Sequence, residues 1–382
     1  MCEEYVVKIQ QLYIHDSVSD ITIKDISFSR LNVLVGLSGA GKTTIISALK
    51  KLVSIAEGVP TRGLEWRLTF SDDNERTIEW HGKISRNWEF TDDGLIGNFV
   101  KEKLIVDNEL LIDSSESDAL FNGFKLPKLD VSRSLIFHLK NDNAIKDIYT
   151  SLVSCIIVDV DSDDFSQSHQ ITIVKNFIHK DVLEHKNKLD IKKLSCKYKE
   201  LSCREKLFYA SKYDKESYDE FLFAYTSIFP EVKNVSVSLF RTGAEQTDER
   251  RALFINLVMK DNNKTVTQSN ISSGMFKTMM ILSELYFGNS NSPIIIDEIE
   301  NSLGVNCLPD VLTELNMASN QIIITSHHPR VINEIPRKHW SIVSRDSKGS
   351  IITYAAESVL SSNSKHDAFL QLINSPYYRG KQ

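Results

Sequence analysis

No apolar run in the 382 residues approaches the ~20 that a membrane-spanning helix needs, and the chain opens on Met1-Cys2-Glu3-Glu4, not on a basic leader. These absences predict a soluble, unexported, cytoplasmic protein with no membrane partner. Cysteine is scarce: Cys2, Cys155, Cys196, Cys203 and Cys307 are scattered, odd in number and never at C-x₂-C spacing. That pattern argues against a disulfide framework and a structural zinc site. Cys196 and Cys203 read as small core residues. There is no internal repeat and no low-complexity tract. With 41% hydrophobic and 25% charged residues, the composition is that of a folded chain. Basic residues do not predominate, since 45 Lys and Arg face 51 Asp and Glu for a net charge of −6. The whole surface is therefore no general nucleic-acid binder, although a local patch remains open. The length predicts two compact units, or one domain carrying a large insertion.

What is present changes character along the chain. Residues 5–14, 21–28, 31–35, 64–70, 76–84 and 88–90 are rich in β-branched and aromatic residues and read as strands. One helix interrupts them, from 42 to about 56, with Ile46, Leu49 and Val53 at helical spacing. From 132 to 225 the periodicity is helical. A long amphipathic helix is predicted over 143–158, ended by an acidic turn at 159–164. Within this stretch residues 175–206 carry ten Lys or Arg against five Asp or Glu, a local net of +5. They read as a solvated helical face first, and as a phosphate-tracking or docking surface second. Strands return at 235–240, 253–259, 293–296, 322–325, 341–343 and 351–354, with helices near 274–287 and 308–315. The pattern predicts an α/β core built from two halves of the chain around a mostly helical insertion.

Four motifs carry chemistry. Gly36-Leu37-Ser38-Gly39-Ala40-Gly41-Lys42-Thr43 fits G-x-x-x-x-G-K-[ST], with an apolar strand before it and a helix after it. Glycines let successive N–H groups turn inward around a phosphate at a helix N-terminus. Lys42 then reaches the β- and γ-phosphates, the Thr43 hydroxyl ligates Mg²⁺, and Ser38 and Thr44 complete the nucleotide cradle with Gly36, Gly39 and Gly41. Pro293-Ile294-Ile295-Ile296-Asp297-Glu298 is an apolar run ending in two acids, as buried parallel strands end at the sites of α/β sheets. Asp297 is the expected metal ligand and Glu298 the expected general base. Ile271-Ser272-Ser273-Gly274 opens a helix 23 residues before Asp297, counted from Gly274, and Thr325-Ser326-His327-His328-Pro329 follows a further apolar strand. A metal site at His327 and His328 is not expected, because neighbouring side chains point to different faces.

On these motifs, in this order, the chain resembles the ABC-type ATPases, within the wider AAA group. The resemblance implies an α/β fold: a P-loop ATPase head with a mixed, largely parallel core, an antiparallel β subdomain and a helical insertion. It divides one composite domain into an N-terminal half at 1–130, an insertion at 131–230 and a C-terminal half at 231–382. It implies ATP and Mg²⁺ as cofactors, with His327 contacting the γ-phosphate. Ser272 and Gly274 would close on the γ-phosphate held by a second copy, so that ATP is sandwiched in a homo-oligomer. Ser-Ser-Gly-Met-Phe-Lys-Thr and Asp-Glu-Ile-Glu-Asn-Ser-Leu at 297–303 depart from transporter signatures and resemble the RecF, Rad50 and OLD (overcoming-lysogenization-defect) group. Two features of the family are not matched. Residues 45–166 contain no Gln to serve as the glutamine-loop ligand, and no aromatic upstream of the loop stands out for stacking on adenine, Tyr13 being a candidate.

From Lys42 to Asp297 is 255 residues, too few for a long coiled-coil arm, and no heptad run supports one. After His327 come 55 residues, too few and too poor in acids for the toprim nuclease of OLD proteins. The expectation is a stand-alone ATPase resembling those of two-gene phage-defence systems of the PARIS and Septu type. Its partner would be a separate toprim or HNH nuclease, and its trigger DNA or a phage protein. The alternatives are a RecF-type DNA-repair ATPase, a transporter subunit, and a scaffold in which slow hydrolysis is a timer.

Overall fold

Apolar runs without alternation belong to strands covered on both faces. Leu31–Val35, Ile294–Ile296 and Ile322–Ser326 are buried throughout. In the computed structural model they pair in parallel with Ile322–Ser326 in the middle. Ile296 lies opposite Ile324 on one side, and Val35 lies opposite Ser326 on the other. Trp340–Arg345 adds a fourth parallel strand beside Leu31–Val35, with Ile342 opposite Val35. All four strands therefore end along one edge, the edge where open α/β sheets hold ligands. The structure describes residues 7–72, 74–87, 89–91, 94–115, 118–158, 172–174, 176–198, 201–241, 251–261, 263–301, 303, 306–328, 331, 334–360 and 365–379. Trp88, the expected acidic turn at 159–164, Ser302 and Pro329 lie outside them.

Among the described residues, a fourteen-stranded sheet extends from this core. Ile351–Ala355 returns antiparallel to Trp340–Arg345 and passes the sheet on to Ile21–Ser27. Lys8–Asp16, Leu64–Ser71, Thr77–Ile84, Phe99–Val106, Glu109–Ser115, Ala119–Phe121 and Phe124–Lys125 follow as an antiparallel series. The other edge is Ile156–Val158, beside Ile294–Ile296. The fold is thus the expected mixed α/β one, a parallel core with an antiparallel flank. In the flank, inward residues alternate with outward ones, and Trp66 meets Trp80 edge-on at 5.0 Å and Phe99 at 6.0 Å. Gly82 leaves room for that ring: a Cβ there would lie 2.1 Å from Trp66.

Two expectations need correction. The helix predicted over 143–158 ends at Val153, and the β-branched run Ile156–Val158 joins the sheet instead. The strands from Phe99 to Lys125 lie in the N-terminal half expected to hold antiparallel strands, but the sequence reading locates none of them individually. Their alternation is broken by Glu102, a carboxylate at an inward position that is fully buried. It is held there by Trp80 Nε1 at 2.9 Å, the Ser134 hydroxyl at 2.6 Å and the Leu135 amide at 2.7 Å. Burial pushes its carboxyl above the usual range, against those three donors.

The chain divides into two compact units, Met1–Ile157 with Asn291–Glu298 and Ser319–Gln382, and Val158–Ser290 with Ile299–Ala318. The large sheet belongs to the first. In the second, Val232–Arg241, Arg251–Met259, Thr265–Thr267 and Thr172–Ile173 form a smaller sheet. Cys203–Tyr213 and Lys215–Ile228 pack on the helix Ser273–Phe287. Ser202 and Glu205 close a capping box at the first of these. Phe221 links the bundle, 5.1 Å from Phe287 and stacked 5.9 Å from Tyr225.

One ion pair is sealed in this bundle. Lys206 Nζ donates to both oxygens of Glu284, at 2.9 and 2.7 Å, and the Cys203 thiol donates to the same carboxylate at 2.7 Å. The two side chains are 9% and 5% exposed, so removing one leaves the other charge buried and uncompensated. Lys206→Met is expected to cost about 3–5 kcal/mol in urea unfolding. The double replacement Lys206→Met, Glu284→Leu should recover most of that loss, and recovery of none would mean the pair is not the source of the cost.

Candidate functional site

The phosphate loop leaves the core at Val35. Gly36 sits against the neighbouring strand, where a Cβ would come 2.6 Å from the Val343 carbonyl oxygen, so side-chain-free backbone is required. Gly39 and Gly41 have φ of 82° and 113°, the left-handed region that favours glycine. Gly41 begins the fifteen-residue helix Lys42–Ala56, whose first turn carries no acid. An uncovered helix N-terminus with inward N–H groups is an anion site. Lys42 is buried, and its ammonium donates to the carbonyls of Gly36 at 2.8 Å and Leu37 at 3.1 Å. Positive charge is thereby held over the loop. Arg345, which the sequence reading did not single out, braces it from outside by donating to the Gly39 carbonyl at 3.3 Å. Ser38 and Thr43 are exposed and Thr44 is half-buried.

Asp297 and Glu298 follow the strand two places away. Asp297 is 6% exposed, and Glu298 has φ of 44°. A left-handed glutamate costs about 1–3 kcal/mol, and such strain persists where surrounding contacts hold it. The contact here is Thr325, fully buried on the strand between. Its hydroxyl donates to Asp297 Oδ1 at 2.5 Å and accepts the Glu298 amide N–H at 2.7 Å. Asp297 Oδ2 has no hydrogen-bond partner among the described residues. A nearly buried carboxylate with one donor and an open oxygen suits a hard cation, which takes one or two carboxylates, a hydroxyl and phosphate oxygens. The residues present fit Mg²⁺ in that sense. His327 is exposed directly beyond the strand, and the Ser326 hydroxyl accepts the His328 amide at 3.0 Å, which shapes the turn.

Parallel pairing therefore brings the loop from Gly36 to Thr44, the acids Asp297 and Glu298, and His327 to adjacent strand ends of one unit. Ser272 and Gly274 belong to the other unit. Ser272 caps the helix Ser273–Phe287 by accepting the Met275 amide at 3.3 Å, and that helix also has no acid in its first turn. Lys277, three residues after Gly274, is buried and donates to the Asn301 carbonyl, so this helix is tied to the segment after the two acids. Tyr13, the candidate base-stacking residue, carries Arg67 over its ring at 4.6 Å. A recess beside Thr44 is lined by Ile14, Asp16, Ile21, Ser47 and Lys51. Burial raises the Asp16 carboxyl, but its bond to Lys51 and the amides of Ser19 and Val18 outweigh this and hold it below the usual range.

The glycines separate two kinds of constraint. Gly36→Ala is expected to lose about 1–3 kcal/mol in urea unfolding by overpacking against Val343. Gly39→Ala, with no atom within 4 Å of its Cβ, loses about 1–2 kcal/mol through backbone conformation alone. Gly39→Asn should regain part of that, because asparagine tolerates the left-handed region, whereas Gly36→Asn should regain none.

Comparison with known proteins places this geometry in a family. Residues 31–333, from the phosphate-loop strand past His327, match the family model described as "AAA domain, putative AbiEii toxin, Type IV TA system". No curated protein matches the chain. Among solved structures it is similar to the Smc head domain of Pyrococcus furiosus with an extended coiled coil bound to ScpA, at 14% identity over 97% of this chain and 100% of that one, TM-score 0.43. It is similar too to the SMC head domain of Thermotoga maritima, at 12% identity over 91% and 98%, TM-score 0.42. A third is the recombination mediator RecF, at 10% identity over 92% and 99%, TM-score 0.43. No helix among the described residues is long and apolar enough to cross a membrane. With a phosphate loop, an acid pair and a trailing histidine gathered on parallel strand ends, and four-fifths of its length matched, the chain belongs to this AAA domain family.

Proposed function

We propose that the chain is an ABC-type ATPase that binds ATP with Mg²⁺, assembles on it and hydrolyses it. The observation that supports this is the cluster of Lys42, Asp297, Glu298 and His327 at neighbouring strand ends. The N–H groups of the loop and Lys42 bind and orient the β- and γ-phosphates. Thr43 and Asp297 would hold Mg²⁺, which when bound neutralises phosphate charge and polarises the transferred phosphoryl group. Glu298 accepts a proton from the attacking water, and His327 orients it from the neighbouring strand end. The recess beside Thr44 is the expected seat of ribose and base. Ser272 and Gly274 supply a second anion site, and their role is to meet the γ-phosphate bound by another copy, giving an ATP-sandwiched homo-oligomer. Phosphates are thereby gripped from both sides only when the assembly forms.

In this reading ATP-dependent assembly serves defence against phage, holding or releasing a separate nuclease or other toxic effector. The family description, which names a toxin of a toxin–antitoxin system, supports that direction. A second reading is a RecF-type repair ATPase that clamps DNA. It is favoured by the insertion, where Lys180 and Lys186 are exposed and, among the described residues, have no acidic partner. Duplex binding lost on replacing both with Glu, and falling steeply with salt, would favour repair. Salt-independent behaviour would count against it.

Two variants separate binding from turnover. Lys42→Ala is expected to lose nucleotide binding in equilibrium titration. Glu298→Gln is expected to bind ATP as wild type, to slow phosphate release at least ~100-fold, and to accumulate as a larger species in light scattering. A Glu298→Gln protein that stays monomeric with ATP would remove the assembly model. Phage plating on cells carrying the chain with its neighbouring reading frame should fall only when Lys42 is intact.

A further inference from the structure

Thr325 lies in the stretch that led to His327, yet its side chain serves the acids on the next strand. Three observations converge on it. Its hydroxyl is the one hydrogen-bond partner of Asp297 among the described residues, at 2.5 Å. The same oxygen accepts the Glu298 amide at 2.7 Å. Glu298 has a left-handed backbone, φ 44°, two residues past the end of the strand Ile294–Ile296. In an extended strand, successive side chains point to opposite faces, so Asp297 and Glu298 would diverge. The left-handed residue breaks that alternation, and the bond from its amide to Thr325 fixes the break.

We propose that Thr325 is a positioning residue for the hydrolytic site: one hydroxyl aims the metal-binding oxygen of Asp297 and pins the kink that aims Glu298. This rests on the reading of Asp297 as metal ligand and Glu298 as base. The hydroxyl is used fully, its proton toward the carboxylate and a lone pair toward the amide. Valine fills the same space without either function, and would leave a half-buried amide without an acceptor and a buried carboxylate without a donor. Serine keeps both functions and loses only a methyl group. The register makes the arrangement possible, because Ile296 pairs with Ile324 and so sets Thr325 beside the turn that begins at Asp297.

The test compares Thr325→Val with Thr325→Ser in the full chain. Metal-free ADP binding should match wild type within about threefold in both, since the phosphate loop is untouched. Mn²⁺ binding in the presence of ADP, followed by electron paramagnetic resonance, should weaken at least ~10-fold in Thr325→Val. Turnover should fall ~10- to 100-fold with KM for ATP changed less than ~3-fold. Thr325→Ser should restore metal affinity and turnover to within about threefold of wild type. Should Thr325→Val fold poorly by circular dichroism, Thr325→Ala carries the same expectations. Wild-type metal affinity and turnover in the hydroxyl-free variants would overturn the proposal. So would a serine variant as impaired as valine, which would assign the role to the methyl group. Glu298→Gln, run alongside, keeps the two failures apart: if it hydrolyses ATP at the wild-type rate, the reading of the acid pair fails whatever Thr325 does.

Discussion

The site hangs on a single constraint, the parallel pairing of Ile322–Ser326 between Leu31–Val35 and Ile294–Ile296. The register of those strands sets which residues emerge together at the C-terminal edge. Val35 opposite Ser326 puts Gly36 beside His327, and Ile296 opposite Ile324 puts Asp297 beside Thr325. A slip of one residue would turn each side chain to the other face and dissolve the cluster. Buried polar contacts that only this register satisfies resist such a slip: the Asn32 amide donates to the Ile322 carbonyl at 3.2 Å, and the Thr325 hydroxyl reaches both Asp297 and the Glu298 amide.

Chemistry at the edge uses the irregularities that follow the strands. Gly36 gives way to the Val343 carbonyl, Gly39 and Gly41 take left-handed backbone, and Glu298 takes it without being glycine. The glycines meet their constraints by having no side chain. Glu298 carries a full side chain, so its conformation is held from outside, its amide donating to the Thr325 hydroxyl. The helix start at Ser272 and Gly274, proposed as the second anion site, is simpler: a capped turn in a separate unit, stiffened from within by Phe221 and by the buried pair of Lys206 and Glu284.

Much of this was legible in the sequence, for reasons that differ from part to part. The phosphate loop reads clearly because backbone geometry and a phosphate leave few residue types admissible at each place. The parallel strands read clearly because burial on both faces leaves only apolar residues. The helix Lys42–Ala56 was predicted to its ends. Elements whose stability comes from distant partners were illegible. Glu102 makes Phe99–Val106 look like a solvated segment, and only the positions of Trp80, Ser134 and Leu135 explain a carboxylate turned inward. Ile156–Val158 continues the apolar pattern of the helix before it, and its β-branched composition decides the outcome only once a sheet edge is there to receive it. Thr325 was visible as a residue, but its contacts were not, since its two partners lie 28 and 27 positions away.

The central claim, that these strand ends hold ATP and that a second copy completes the grip, is tested most directly by a structure of the Glu298→Gln protein with ATP and Mg²⁺. The account predicts β- and γ-phosphates within the loop from Gly36 to Thr44 and metal density between Thr43 and Asp297. It also predicts Ser272 of a neighbouring copy on the γ-phosphate. Nucleotide bound away from that loop, or bound there with Ser272 of every copy facing solvent, would contradict it.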